Sequence, residues 1–365
     1  MIMVAERLDD TLPRASTPAA ATLTERERVA ALREIMGAPD TSVRALPDAI
    51  RTITFANHDR WVKPLFEQHW PEALSGSTVK KLRFLTCNLY ATAPYTVLFS
   101  APRPPVMLRA LRFVGTSLGL LPATLSGWAG VGVKLAAPFI ADDTHRRIVQ
   151  IASFIACVDH VFDHCMDGAP GAERGRRMRG VLDGSWVPDD TTPHAGAFRF
   201  LRALFVAMSA GIEGEDKKVY DVAVARLFDY VDSEVKAMTG VADPSGCCWR
   251  MAGVLGTIDG LFFPVWPYSG QQAREWMYSC SLFVQVMDDW VDLEKDAQDI
   301  RPTPVITGFW TLETVKSTWE KTLAGVVDLA RASGVDDDSY LTFVRETYRM
   351  MAIEVMEAMC KGSAA

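Results

Sequence analysis

The stretch from Trp276 to Leu293 constrains the fold of this chain more than any other. It reads WMYSCSLFVQVMDDWVDL, and its charged residues are Asp288, Asp289 and Asp292. A helix that is apolar on almost every face is a buried helix. A buried carboxylate is unfavourable unless a cation or strong hydrogen-bond donors satisfy it, and neighbouring carboxylates also repel one another. The stretch therefore predicts a core helix whose acidic end needs a compensating charge.

The acidic pattern continues past the end of the apolar stretch. Asp288, Asp292 and Asp296 are spaced by four residues, and Asp299 and Gln285 fall on the same side of a helix drawn over residues 271–299. Carboxylate oxygens suit Mg²⁺, which binds through a few carboxylates together with substrate phosphates. The alternative is a set of Asp–Arg pairs at a helix end. Against it, the apolar stretch itself contains no Lys or Arg.

A second acidic stripe occurs earlier in the chain. Asp159, Asp163 and Asp167 are also four residues apart, at the edge of an apolar stripe that runs from Ile148 to Phe162. One interpretation is a second set of metal ligands that faces a cavity. The other is an acidic helix edge in contact with solvent, and this segment alone leaves both open.

Two histidines lie within the same segment. His160 and His164 are four residues apart, and Cys165 follows them. This spacing is compatible with Zn²⁺. The sequence offers no second His/Cys cluster to complete such a site, so a magnesium site is the favoured reading.

Helical periodicity dominates the rest of the chain. Thr24 and Glu27 have capping-box spacing and predict a helix that ends near Gly37. No segment alternates apolar and polar residues as a half-buried strand would, and no internal repeat is present. We therefore predict one all-α domain over residues 24–362, preceded by a disordered tail at residues 1–23. Further helices are predicted over 197–212, 216–239, 249–263, 271–299, 312–332 and 338–361.

Composition narrows the class of protein. The 365 residues are 49% hydrophobic and carry a net charge of −7, which argues against nucleic acid as a partner. The seven cysteines contain no CxxC motif and predict reduced thiols rather than disulfides. The first residues carry charges and no long apolar run, so no signal peptide is expected. These features predict a cytoplasmic protein.

One uncharged segment raises the question of membrane contact. Residues 113–133 contain no charged side chain. A segment of this length could span a membrane. Pro122 and five glycines interrupt the segment. A buried helix pair, or a surface in peripheral contact with a membrane, is favoured over a span.

The two acidic stripes together resemble the class I isoprenoid synthase superfamily. The segment from Asp288 to Asp296 is similar to the N/D-D-x-x-S/T-x-x-x-E metal motif of terpene cyclases, with Asp in place of Ser/Thr and Glu. It also resembles the second aspartate-rich motif of prenyl chain-elongating synthases, but no GGKR-type segment of such enzymes is present. The nearest likeness is to the large-terpene (tetraprenyl-β-curcumene type) synthases. The resemblance covers roughly residues 146–305 and is carried by the two motifs.

The resemblance implies a helical bundle around a central cavity, in which two acidic helices hold three Mg²⁺ ions. It implies that the protein ionises a linear prenyl diphosphate, of C20 or longer, and cyclises the carbocation. Lys295 and the arginines Arg177, Arg250 and Arg349 are the candidate diphosphate contacts. The implied catalytic and metal-binding aspartates are Asp159, Asp163, Asp288, Asp289, Asp292 and Asp296.

Two other functions remain open at this point. A condensing enzyme of the squalene or phytoene synthase type has the same fold and a similar pair of acidic helices. A non-catalytic helical protein that binds lipids would keep the bundle without needing the aspartates.

Two helices carry further candidates. Gly253, Gly256 and Gly260 mark either a helix break that faces a cation or the close packing of two helices. Asp229 and Asp232 lie on another helix, where a role near a metal or diphosphate is one interpretation.

Overall fold

The computed structural model describes residues 23–100, 122–166, 168–237, 248–298, 303–332 and 338–363. Within these ranges the chain forms helices and no strand, which confirms the all-α prediction. Of the tail predicted over residues 1–23, all but the last residue lie outside them. The helices are α1 (Glu25–Met36), α2 (Ala45–Trp61), α3 (Lys63–His69), α4 (Ser77–Leu85), α5 (Thr92–Ser100), α6 (Pro122–Ala136), α7 (Asp142–His164), α8 (Gly171–Asp183), α9 (Ala195–Ser209), α10 (Gly214–Ala237), α11 (Cys248–Phe262), α12 (Trp266–Val291), α13 (Leu293–Gln298), α14 (Leu312–Ala332) and α15 (Asp338–Ser363).

Helix α1 begins and ends where the sequence predicts. The Thr24 hydroxyl accepts a hydrogen bond from the Glu27 backbone N–H at 3.3 Å, and the Glu27 carboxylate accepts one from the Thr24 N–H at 2.8 Å. This reciprocal pair is a capping box, which satisfies N–H groups that the first turn leaves open. The helix stops at Gly37, whose φ of +75° favours glycine.

Helices α7 and α12 form the centre of the molecule. Every residue from Ile148 to Val158 on α7 is buried, because α2, α9 and other elements cover it on several sides. Helix α12 packs against α11, α14 and α15. One hydrophobic cluster includes buried side chains from Leu32 on α1 to Met356 on α15. Both acidic motifs therefore lie at the ends of core helices.

The acidic end of α12 departs from the predicted continuous helix over 271–299. The helix stops at Val291, Asp292 adopts φ −88° and ψ 9°, and α13 begins at Leu293. The Asp292 N–H still donates to the Asp288 carbonyl, and the Asp296 N–H to the Asp292 carbonyl, both at 2.9 Å. The bend is thus confined to one residue. The prediction of one straight helix is wrong, and Asp299 lies outside the described residues.

A π-helical turn, Thr86–Tyr90, joins α4 to the segment before α5. The Ala91 N–H donates to the Thr86 carbonyl at 2.8 Å, five residues back. This turn packs against α7. Such turns inside helices are frequent at functional sites, and this one ends at Tyr90.

The glycines of α11 serve close packing. A Cβ atom at Gly256 would lie 2.0 Å from the Arg226 carbonyl oxygen of α10, and one at Gly253 would lie 2.5 Å from the Ser233 hydroxyl. Helix α11 continues unbroken through both positions. The interpretation of a helix break at these glycines is therefore wrong, because their small size lets α10 and α11 approach each other.

The uncharged segment at 113–133 is only partly described. Residues 113–121 lie outside the described ranges, and the rest belongs to α6. Among the helices that the structure describes, none combines the length and hydropathy that crossing a bilayer requires.

Candidate functional site

The two acidic motifs meet in space through Lys295. The Lys295 ammonium lies 3.0 Å from Oδ2 of Asp163 on α7 and 3.9 Å from Oδ2 of Asp292 at the bend after α12. Two segments far apart in the sequence thus present carboxylates to the same cation. This is the juxtaposition that the two acidic stripes predict.

A second pair of carboxylates interacts across the two helices. Burial is the main cause that raises the pKa of Asp159, to about 7, and the charges of Asp163 and Glu234 raise it further. Burial also raises the pKa of Asp288 well above its usual range, with the charges of Asp292, Asp289 and then Asp159 adding to the effect. Carboxylates that raise one another's pKa form a group that favours binding a cation.

Asp159 lies at the exposed edge of α7. Its charge reaches α12, where it helps to raise the pKa of Asp288. Besides burial, Asp163 and Glu234 raise the pKa of Asp159, whereas Lys295 and Lys81 lower it. The acidic edge of α7 therefore interacts with charged groups of α4, α10 and α13.

Asp289 and Asp296 are more deeply buried than the other described aspartates of the two acidic motifs. Asp289 is 1% exposed, and its Oδ1 accepts a hydrogen bond from Gln285 Nε2 at 2.9 Å. Asp296 on α13 is 5% exposed. Gln285 was expected on the stripe of Asp288. The structure pairs it with Asp289 instead, one helical turn later.

A buried arginine anchors the bend. Arg28 of α1 is 1% exposed; its Nε donates to the Trp290 carbonyl at 3.1 Å, and its Nη2 lies 3.3 Å from the Glu294 carboxylate. These bonds hold both sides of Asp292 to α1. The position of the second acidic motif is thus fixed by a contact with α1, more than 250 residues earlier in the sequence.

Three groups near the aspartates were not identified from the sequence. Burial and then the charge of Asp159 raise the pKa of Tyr90 and of Tyr230, and Glu234 raises both further. Glu234 itself is 9% exposed. Tyr230 and Glu234 are four residues apart on α10, so they share a helix face, and this spacing was the signal that could have found them.

Lysines supply the positive charge around Asp159. Lys295 and Lys81 both lower its pKa against the stronger effect of burial. Lys81 lies on α4, which packs against α7. The fold brings Lys81 to the acidic group.

Arg177 has a local partner. Its Nε lies 2.7 Å from the Glu173 carboxylate one helical turn earlier on α8. The neighbouring Arg174 donates from Nε to the Ala169 carbonyl at 2.9 Å and also bonds the Phe162 carbonyl. Arg174 thus ties the loop after the first acidic motif to the end of α7. The structure places Arg177 in an ion pair on its own helix.

Arg349 and Arg250 are the other two arginines predicted to contact diphosphate. Arg349 lies 3.6 Å from the Glu346 carboxylate and close to Gly37, at the end of α1 opposite to Arg28. Arg250 belongs to α11, and its side chain lies outside the described residues.

The acidic residues of α10 form ordinary ion pairs. Asp229 lies 3.0 Å from Arg226 on the same helix. Asp232 pairs with Arg179 of α8, whose guanidinium also lies 5.0 Å from the ring centre of Phe228. These pairs support a structural role for both aspartates.

The two histidines of α7 lie beside each other. The ring centres of His160 and His164 are 4.9 Å apart, and that of Trp70 is 5.8 Å from His160. Burial and then the charge of His164 lower the pKa of His160 to about 4. Across the part of the chain that the structure describes, no three His, Cys, Asp or Glu side chains converge into a ready metal cage.

The chemistry of the donor set still fits magnesium. The available ligands are carboxylate oxygens from α7 and from the α12–α13 bend, which are hard donors. Mg²⁺ usually keeps several waters and takes only one or two protein carboxylates per ion, together with substrate phosphates. It therefore does not require a closed protein cage.

Comparisons with protein-family models, curated proteins and solved structures find no match to this chain. The resemblance to class I isoprenoid synthases thus remains one of sequence motifs.

Proposed function

We propose that this protein is a Mg²⁺-dependent class I terpene synthase that acts on a prenyl diphosphate. The observation that carries the proposal is the contact of Lys295 with both Asp163 and Asp292. It supports a single site formed by the two motifs. Asp159 and Asp163 would hold metal from α7, and Asp288, Asp292 and Asp296 would hold it from the bend. Gln285 orients Asp289 at the base of this group.

The chemistry divides between the metal and the chain. Bound Mg²⁺ neutralises the diphosphate and makes it a better leaving group. The ammonium groups of Lys295 and Lys81 are available to donate to phosphate oxygens. Tyr90 and Tyr230 lie within reach of the charges of Asp159 and Glu234, on the side of the site formed by α10 and the π-helical turn.

We propose a substrate of C20 or longer, one molecule per turnover, with a cyclic hydrocarbon or alcohol as the product. The likeness of the two motifs to large-terpene synthases supports the length. The cyclase-like spacing of Asp288, Asp292 and Asp296 supports cyclisation over chain elongation.

Peripheral membrane contact is part of the proposal, because such substrates partition into lipid. Val131 and Leu135 of α6 and Phe139 of the following turn are four residues apart, and they are 49%, 54% and 83% exposed. Lys134 is exposed next to this apolar stripe. An apolar stripe beside a basic residue suits the surface of an anionic bilayer.

The test is incubation with prenyl diphosphates from C10 to C35 and Mg²⁺, with products identified by mass spectrometry. We expect diphosphate release and a cyclic product from one allylic substrate, and no turnover by Asp292→Ala. A requirement for isopentenyl diphosphate, a longer linear product or a head-to-head dimer would contradict the cyclase proposal. No turnover of any substrate would favour a lipid-binding protein.

A further inference from the structure

Lys295 occupies the place where the two acidic motifs most need a cation. Its ammonium contacts carboxylates of α7 and of the bend after α12, at 3.0 and 3.9 Å. In the proposed function a divalent cation neutralises these same two groups, Asp163 and Asp292. An ammonium and a metal ion that share the same carboxylate oxygens repel each other. A bound metal ion therefore weakens the hold of these carboxylates on the ammonium.

The contact of Lys295 is of a kind that can be exchanged. The Lys295 side chain is 47% exposed, whereas the Asp163 side chain is 14% exposed. Ion pairs that keep contact with solvent contribute little to stability, so their loss is tolerated. A lysine ammonium on a four-carbon chain also moves without a change in the backbone. Asp163, by contrast, is fixed on a core helix.

We propose that Lys295 is an exchangeable counter-ion of this site. In the absence of the divalent cation it bridges Asp163 and Asp292 and holds the two acidic segments together. When the cation binds, Lys295 leaves the carboxylates and donates to the diphosphate that arrives with the metal. The inference rests on the proposed function and adds the order of events at the site.

This exchange predicts two effects of opposite sign. Removing the ammonium of Lys295 eliminates the competitor for Asp163 and Asp292, so the metal alone binds more tightly. The same change removes a donor to phosphate, so diphosphate binds more weakly once metal is present. A lysine with only a structural role would not strengthen metal binding, and a lysine that only attracts phosphate from a distance would leave metal binding unchanged.

The experiment measures both affinities on the full chain. Mn²⁺ binding is titrated by electron paramagnetic resonance, and inorganic diphosphate binding by calorimetry at saturating Mg²⁺. For Lys295→Gln we expect Mn²⁺ affinity to rise by about three- to tenfold and diphosphate affinity to fall by about tenfold. Lys295→Arg keeps the positive charge, so its affinities for Mn²⁺ and for diphosphate should stay close to those of the wild type. Lys134→Gln, with the same change in charge on α6, alters neither.

Each outcome decides the inference. Mn²⁺ affinity that is unchanged or lower in Lys295→Gln overturns the exchange, and so does unchanged diphosphate affinity. In either case the proposed function stands if the wild type binds Mn²⁺ and releases diphosphate from substrate. A wild type that binds no Mn²⁺ overturns both. Circular dichroism melting of each variant identifies any loss of fold.

Discussion

The side chains of Lys295 and Asp163 form an ion pair with a 3.0 Å contact, although 132 residues separate them in the sequence. The pair connects the end of core helix α7 to the short helix α13. Each partner belongs to a different acidic motif, so the contact places both motifs on one side of the molecule.

The same substitution at Asp288 and at Asp229 tests whether the acidic motif is catalytic. Asp288 belongs to the group of carboxylates that raise one another's pKa, whereas Asp229 pairs with Arg226 on its own helix. Under the proposed function we expect Asp288→Asn to lower kcat for diphosphate release by at least about 100-fold, a loss typical of removing a key electrostatic group. Asp229→Asn should retain activity. Equal activity of the two variants would argue against a catalytic role for Asp288.

The contact of α11 with α10 predicts a strong effect at Gly256. Its Cβ would lie 2.0 Å from the Arg226 carbonyl oxygen, which is backbone and must shift. We expect Gly256→Ala to lower the free energy of unfolding by about 3 kcal/mol, as overpacking does. At Gly127 of α6 nothing lies within 4 Å of the added Cβ. Gly127→Ala should raise the free energy of unfolding by up to about 1 kcal/mol. Chemical denaturation of the two variants measures both changes.

His58 predicts a loss of stability in acid. Burial is the main cause that lowers its pKa from 6.5 to about 4, and the charge of Arg83 adds to the effect, while Asp59, 3.7 Å from Nδ1, opposes it. Between these two pH values the unfolded chain binds a proton that the folded chain does not. The free energy of unfolding is therefore highest above pH 6.5. The protonation of His58 in the unfolded chain lowers it by about 3 kcal/mol as the pH drops to 4.

Urea unfolding from pH 7.5 to 4.5 checks this expectation. His58→Leu should have a flatter profile than the wild type, because it removes the group that must be protonated. Burial also lowers the pKa of His145, so the variant keeps part of the slope. Profiles of equal slope would show that His58 does not cause the acid sensitivity.

The exposed stripe of α6 predicts binding to vesicles. Phe139 is 83% exposed at the end of the stripe, and Val187 is 76% exposed in the loop after α8. We expect Phe139→Ser to lower flotation with anionic phospholipid vesicles by about five- to tenfold, given the transfer free energy of one aromatic side chain. Val187→Ser should leave it unchanged. Loss of binding in both variants, or in neither, would contradict a specific contact through α6.

The sequence predicted the fold class and many helix boundaries because these depend on local signals. The capping box at Thr24 and the glycine at Gly37 set the ends of α1, as the structure confirms. Residues 312–332 were predicted as a helix from their periodicity, and α14 has those bounds. The bend at Asp292 was not predicted, because helical hydrogen bonds continue across it and no proline or glycine marks it.

The candidate site was predicted less completely. The aspartates could be identified because carboxylates in an apolar segment are unfavourable without a cation or strong hydrogen-bond donors. The arginines were less informative, since Arg177 has a partner on its own helix at 2.7 Å. Lys81 escaped detection because a charged residue on an ordinary amphipathic helix has no local feature that marks its direction.

The sequence by itself determined that this chain forms helices and that two segments carry carboxylates at the edge of apolar faces. Helical periodicity and capping act within a few residues, so they can be read from the chain alone. Only the tertiary structure decided which charges face those carboxylates. It brought Lys295 and Lys81 to the acidic segments and left Asp232 in an ion pair with Arg179. The physical reason is that electrostatic interactions depend on distance in space, and core packing sets that distance across more than a hundred residues.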